Sequence, residues 1–165
     1  MDNIYLIGFM GCGKSTIGKS LAKALNRHCI DLDQWMEAQL GRTIPQIFQE
    51  EGEAYFRNME THFLRETTRL RHTVCSTGGG VIGREGNRTF LKTQMTVYLE
   101  WPFDVLYQRI QGDPHRPLSK SYDQLLKLYE ERRLFYEQSA TYIIKCQDET
   151  PNVVVKKILD LLKNQ

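Results

Sequence analysis

Nine residues near the amino end, "GFMGCGKST" from Gly8 to Thr16, constrain this chain more than any other feature. They follow an apolar run, "NIYLIG", and open a stretch with helical spacing, "STIGKSLAKALN". Gly8, Gly13, Lys14 and Ser15 satisfy the pattern G-x-x-x-x-G-K-[ST]. Glycines there let successive N–H groups turn inward around phosphate oxygens, and the dipole of the helix that starts at the loop favours the same negative charge. Lys14 can reach the β- and γ-phosphates, and the Ser15 hydroxyl can ligate Mg²⁺. The loop needs a strand before it and a helix after it, and it points to a nucleoside triphosphate. It does not say how the terminal phosphate is used. A hydrolysing switch or motor, a small-molecule kinase and a nucleotide-binding module without chemistry remain open.

Short β-rich runs alternate with helical patterns along the whole chain. The strand candidates are "NIYLIG", "HCIDL", "TVCST", "MTVYLE" and "TYIIKC". Between them, "AYFRNMETHFLRETTRL" and "FDVLYQRIQ" carry apolar residues at three- and four-residue spacing, and "PNVVVKKILDLLKNQ" reads as a closing helix led by Pro151. Alternating β and α elements predict an α/β fold, a three-layer α/β/α arrangement with a parallel sheet covered on both faces. Ligands in such folds collect at the carboxyl ends of the strands. The 165 residues suit a single domain with one core, without repeat, linker or second module. That size favours a small kinase over a motor. The segment 111–124, "QGDPHRPLSKSYDQ", has turn formers and scattered charge and is the expected mobile part.

A net charge of +2 is too small to argue for nucleic acid or a membrane surface, and it suits a small anionic ligand. No stretch approaches the roughly 18 apolar residues of a membrane span, and "MDNIYLIGFMGCG" lacks the basic start of a signal peptide. Cys12, Cys29, Cys75 and Cys146 are scattered, with no C-x-x-C pair. Four reduced thiols in a cytosolic protein is the expectation.

"CSTGGGVIGREG", residues 75 to 86, places three glycines after an apolar strand, where a backbone must stay bare for something that approaches closely. No acid stands there, but Asp31 and Asp33 end the neighbouring strand candidate. Alternation would put both carboxylates on one side, one toward Mg²⁺ and one able to accept a proton from an acceptor hydroxyl. Asp33 as a helix cap is the competing reading. Arg57, Arg132 and Arg133 lie in helical stretches where a charged face is the ordinary explanation, although an acceptor with a carboxylate would need such partners. Arg116, in "HRPL", is either a soluble loop residue or a cation that swings over the phosphates.

Taken together, "GFMGCGKST", "DLD", "FR" at Phe56–Arg57, "STGGG", "RPL" at 116 to 118 and R-x-x-x-Y-x-x-x-A at Arg132, Tyr136 and Ala140 resemble the shikimate kinase family over essentially the whole chain. The resemblance implies a P-loop kinase fold with a five-stranded parallel sheet in the order 2-3-1-4-5. It implies transfer of the γ-phosphoryl group of ATP, with Mg²⁺, to the 3-hydroxyl of shikimate, giving shikimate 3-phosphate in the cytoplasmic route to chorismate and aromatic amino acids. The implied protein is a monomer whose partners are ATP and shikimate. Gly11, Cys12, Gly13, Lys14, Ser15 and Thr16 would hold the phosphates, and Ser15 with Asp31, through water, the metal. Asp33 would bind the shikimate hydroxyls and take the proton. Arg57 and Arg132 would grip the carboxylate beside the backbone of Gly78, Gly79 and Gly80. Arg116 would belong to a lid over 111–124, and residues 32–70 would form the acceptor-binding region. Arg109 would lie against adenine, with Gln147–Pro151 opposite, a loop where Asp148 and Glu149 replace the family's frequent basic residues. A methyl group at Gly79 or Gly80 is expected to damage acceptor binding more than folding. A gluconate kinase would share the phosphate loop without "DLD", "STGGG", Arg57 and Arg132 together.

Overall fold

Ile4–Ile7, the first strand (β1), is buried at all four positions, as a central strand covered by helices on both faces must be. The structure is a computed structural model that describes residues 3–113 and 120–165. After β1 come α1 (Lys14–Leu25), β2 (His28–Asp31), α2 (Leu32–Leu40), α3 (Ile44–Glu51) and α4 (Glu53–Glu66). β3 (Thr73–Ser76), α5 (Glu85–Lys92), β4 (Met95–Glu100) and α6 (Phe103–Gln111) follow. The chain closes with α7 (Tyr122–Ser139), β5 (Tyr142–Lys145) and α8 (Pro151–Lys163).

The strands pair in parallel in the order β2-β3-β1-β4-β5, with helices on either side, and they coincide with the apolar runs of the sequence. β1 pairs with β3 on one side and β4 on the other. The chain therefore leaves the carboxyl end of β1 between two diverging connections, which opens the crevice where such sheets bind ligands. α1 packs against α8, and α5 against α7.

The helices start in two ways, with a side-chain cap in α2, α3 and α7 and without one in α1, α4, α5, α6 and α8. α3 and α7 begin with complete capping boxes, Thr43 with Gln46 and Ser121 with Gln124, so their first amides are satisfied by side chains. α1 begins at Gly13 in the left-handed region (φ 87°) and has no side-chain cap. Its first N–H groups stay free of side-chain partners, which is the state an anion site requires.

Candidate active site

The loop between β1 and α1 forms one wall of a cleft of about 570 Å³, lined by Gly11, Gly13, Lys14, Ser15 and Thr16. Cys12 is buried, its amide donating to the Phe9 carbonyl at 3.2 Å. Lys14 Nζ donates to the carbonyls of Gly8 (2.6 Å) and Phe9 (3.3 Å) and to Cys12 Sγ (3.4 Å). The ammonium is thus held over the loop itself. Ser15 Oγ donates to Asp31 Oδ2 at 2.7 Å, which brings the two expected metal-site residues into contact.

Asp31 and Asp33 both line this cleft, but not by strand alternation. β2 ends at Asp31 and α2 begins at Leu32, so Asp33 sits in the first helical turn. The cap that the sequence offered to Asp33 belongs to Asp31, whose Oδ1 accepts from the Gln34 amide at 3.1 Å. That frees Asp33 for the cleft. Its Oδ1 is buried and has no hydrogen-bond partner among the described residues. An unsatisfied buried oxygen is costly, and an incoming hydroxyl would satisfy it. Burial pushes the Asp33 carboxyl up to about 6; the charges of Glu60 and Asp31 push the same way, and Lys14 opposes them.

The three glycines are bare for two different neighbours. A β-carbon on Gly79 would lie 3.6 Å from the Met10 amide and 3.7 Å from the Gly8 carbonyl, so this glycine does face the backbone of the phosphate loop. On either side of it, the site's own charged side chains occupy the space. A β-carbon on Gly78 would stand 3.1 Å from Asp33 Oδ1 and 3.2 Å from Glu60 Oε2, and one on Gly80 2.6 Å from Arg57 Nη2. The Gly79 carbonyl accepts from the Tyr136 hydroxyl at 2.5 Å.

That bond gives the tyrosine of the R-x-x-x-Y-x-x-x-A pattern its role. Tyr136 is fully buried and stacks on Tyr98 with ring centroids 5.0 Å apart, so it pins α7 to the glycine segment. Arg132, one turn earlier on the same face, is thereby aimed at the glycines, its Nη1 3.5 Å from a β-carbon built on Gly79. Arg133 points elsewhere, exposed and paired with Glu137 at 3.4 Å. Arg57 Nη1 donates to Glu60 Oε1 at 2.8 Å. Glu60, 1% exposed, was missed in the sequence, where "FRNME" carried its signal as an i, i+3 pair with Arg57. Burial raises its carboxyl, while Arg57, Arg132 and Arg84 pull it down, so the acid fixes the arginine cluster in place. Gly80→Ala must displace the Arg57 guanidinium. The variant is expected to fold and to raise the KM for the acid acceptor about tenfold or more, the worth of one charge-assisted hydrogen bond. Gly79→Ala, with ordinary contacts only, should do less; kinetics of both variants with each substrate check the order.

On the opposite wall, Arg109 donates to the Gly11 carbonyl at 3.2 Å, and its guanidinium lies 4.0 Å over the Trp101 ring. In the loop before α8, Glu149 turns back on its own backbone, accepting from the amides of Gln147 (2.6 Å) and Asp148 (3.2 Å) and pairing with Lys157 at 2.6 Å. Those bonds hold its carboxyl down at about 2. The acid that departs from the family pattern therefore braces the loop. Arg116 lies outside the described residues, as does the whole of its "HRPL" stretch.

The shikimate kinase family model matches residues 10–163. The chain belongs to the shikimate kinase family. A shikimate kinase from Enterococcus faecalis is 40% identical over 168 residues, covering 99% of each chain. The solved shikimate kinase from Acinetobacter baumannii, in complex with shikimate, superposes with a TM-score of 0.91 at 39% identity, covering 99% of this chain and 94% of that one. A gluconokinase from Sinorhizobium meliloti has a TM-score of 0.59 at 16% identity, a likeness of fold alone. Family membership makes the protein a kinase that moves a phosphoryl group onto an alcohol, and the sheet order expected from the resemblance is the one observed.

Proposed function

We propose that this chain phosphorylates the 3-hydroxyl of shikimate with ATP, as its family does, with Asp33 receiving the proton. The observation that carries the residue roles is the buried Oδ1 of Asp33, without a hydrogen-bond partner among the described residues. It lies in the cleft that the phosphate loop lines and beside Gly78, which also faces the Glu60 that pairs with Arg57. Residues Gly11 to Thr16 would hold the triphosphate, with Lys14 moving from the loop carbonyls to the phosphates. Arg57 and Arg132 would hold the acceptor carboxylate against the backbone of Gly78, Gly79 and Gly80. The 3-hydroxyl would then lie at Asp33. The attacking oxygen gives its proton to Asp33 as its bond to the γ-phosphorus forms and the bond to the β-bridging oxygen breaks, releasing ADP. Arg109, backed by Trp101, would offer the other face of its guanidinium to adenine, and Arg116 would add positive charge at the phosphates.

The donor set fits Mg²⁺. Ser15 and Asp31 supply adjacent hard oxygens, and no group of three or more His, Cys, Asp or Glu suited to a metal occurs among the described residues. Mg²⁺ is ordinarily held by one or two protein oxygens, phosphates and water. Bound there, it would neutralise phosphate charge. The enzyme is also read as cytoplasmic, which its free thiols support, and, from the family resemblance, as a monomer; light scattering on the purified protein tests the oligomeric state.

The pH profile tests Asp33. A base must be ionised, so kcat/KM for shikimate should fall about tenfold per pH unit below about 6 and level off above it. Stability should move the other way. A carboxyl raised from 3.8 to about 6 on folding supports the folded state below pH 3.8 and withdraws that support as pH rises to 6. A flat kcat/KM between pH 5 and 7 would remove Asp33 from this role.

A further inference from the structure

A second cavity, of about 360 Å³, is lined by Arg57, Arg84, Arg132 and Gly80, with Ile82 and Phe135 among its apolar walls. Three elements deliver the three guanidinium groups: α4 carries Arg57, Arg84 stands at the cap of α5, and α7 carries Arg132. All three are half-buried and surround the buried Glu60. One carboxylate offsets one of these charges, which leaves two for an incoming anion. The other acids of the cavity, Glu53 and Glu131, are exposed, so water screens them. Neighbouring arginines are committed elsewhere. Arg88 donates to the Ile82 and Gly83 carbonyls and lies 4.0 Å over the Phe135 ring, and Arg133 pairs with Glu137. The Arg84 side chain has no hydrogen bond or ion pair among the described residues.

We propose that Arg84 is a third arginine of the acceptor site, one that recruits the acceptor's carboxylate and favours acids over uncharged polyols. This rests on Arg57 and Arg132 holding that carboxylate. A cation in a concave, partly apolar wall focuses its field toward the opening, raising the local concentration of an anionic substrate and its rate of capture. Because Arg84 acts on charge and not on the reacting atoms, its removal should alter acceptor affinity and leave the phosphoryl step alone.

The test uses the purified full chain with Arg84→Gln and Arg84→Lys, assayed with shikimate and with its uncharged methyl ester across a salt series. Arg84→Gln is expected to raise the KM for shikimate about five- to tenfold, to keep kcat and the KM for ATP within about twofold, and to flatten the salt dependence of kcat/KM. Arg84→Lys should restore most of the loss. The methyl ester should be unaffected by either change. An unchanged KM for shikimate, or an equal rise for acid and ester, overturns the proposal. Arg57→Ala and Arg132→Ala run beside them separate the failures: if these leave the shikimate KM unchanged, the carboxylate clamp itself is wrong and Arg84 falls with it.

Discussion

Asp33→Asn is expected to lower kcat with shikimate by a factor of about 10² to 10⁴, the usual worth of a positioned general base, while ATP binds as in the native protein. Asn keeps the shape and can still hydrogen-bond the hydroxyl, but it cannot take the proton. Stability sharpens this expectation. At neutral pH the ionised Asp33 is disfavoured by burial and by the charges of Glu60 and Asp31, and Asn removes that repulsion. The variant should therefore melt at the native temperature or above it, the pattern of a residue kept for activity at some cost in stability. Calorimetry for ATP, a melting curve and a coupled ADP assay check the three parts. Turnover near that of the native enzyme would show that the proton leaves by another route.

Arg132→Ala is expected to raise the KM for shikimate about ten- to a hundredfold, against less than about threefold for ATP. Arg132 reaches the glycine segment that faces the phosphate loop, and its guanidinium also lies 5.9 Å from the buried Phe9 ring. Truncation removes the proposed carboxylate donor and one of the charges that pull the Glu60 carboxyl down. The Glu60 carboxyl should then rise further, loosening its pairing with Arg57, so part of the loss arrives through the neighbour. Equal effects on both substrates would argue against a carboxylate clamp.

How far the sequence discloses this site depends on whether local spacing or long-range packing makes each contact. The phosphate loop is legible because strand, glycine turn and helix are contiguous, and so are the five strands. The nearness of Asp31 and Asp33 is legible, but its cause is not. Strand alternation suggests a shared side, whereas the chain turns into α2 at Leu32 and Asp31 takes the cap. Glu60 and Arg84 are the residues missed. Each is an ordinary charged residue in its own helix or turn and becomes special only where α4, α5 and α7 meet over the glycines. Gly80 is the reverse case: the sequence announces that something comes close, and only the fold shows that Arg57 does. The departure at Glu149 reads as a lost contact in the sequence and as a self-bracing loop in space.

One assay bears most directly on the whole account: ADP release by the purified protein with ATP and Mg²⁺, given shikimate, gluconate or no acceptor. A cradle coupled to a carboxylate-binding acceptor site beside Asp33 predicts rapid release with shikimate and only background release with the other two. Release at equal rates with gluconate, or without any acceptor, would contradict it.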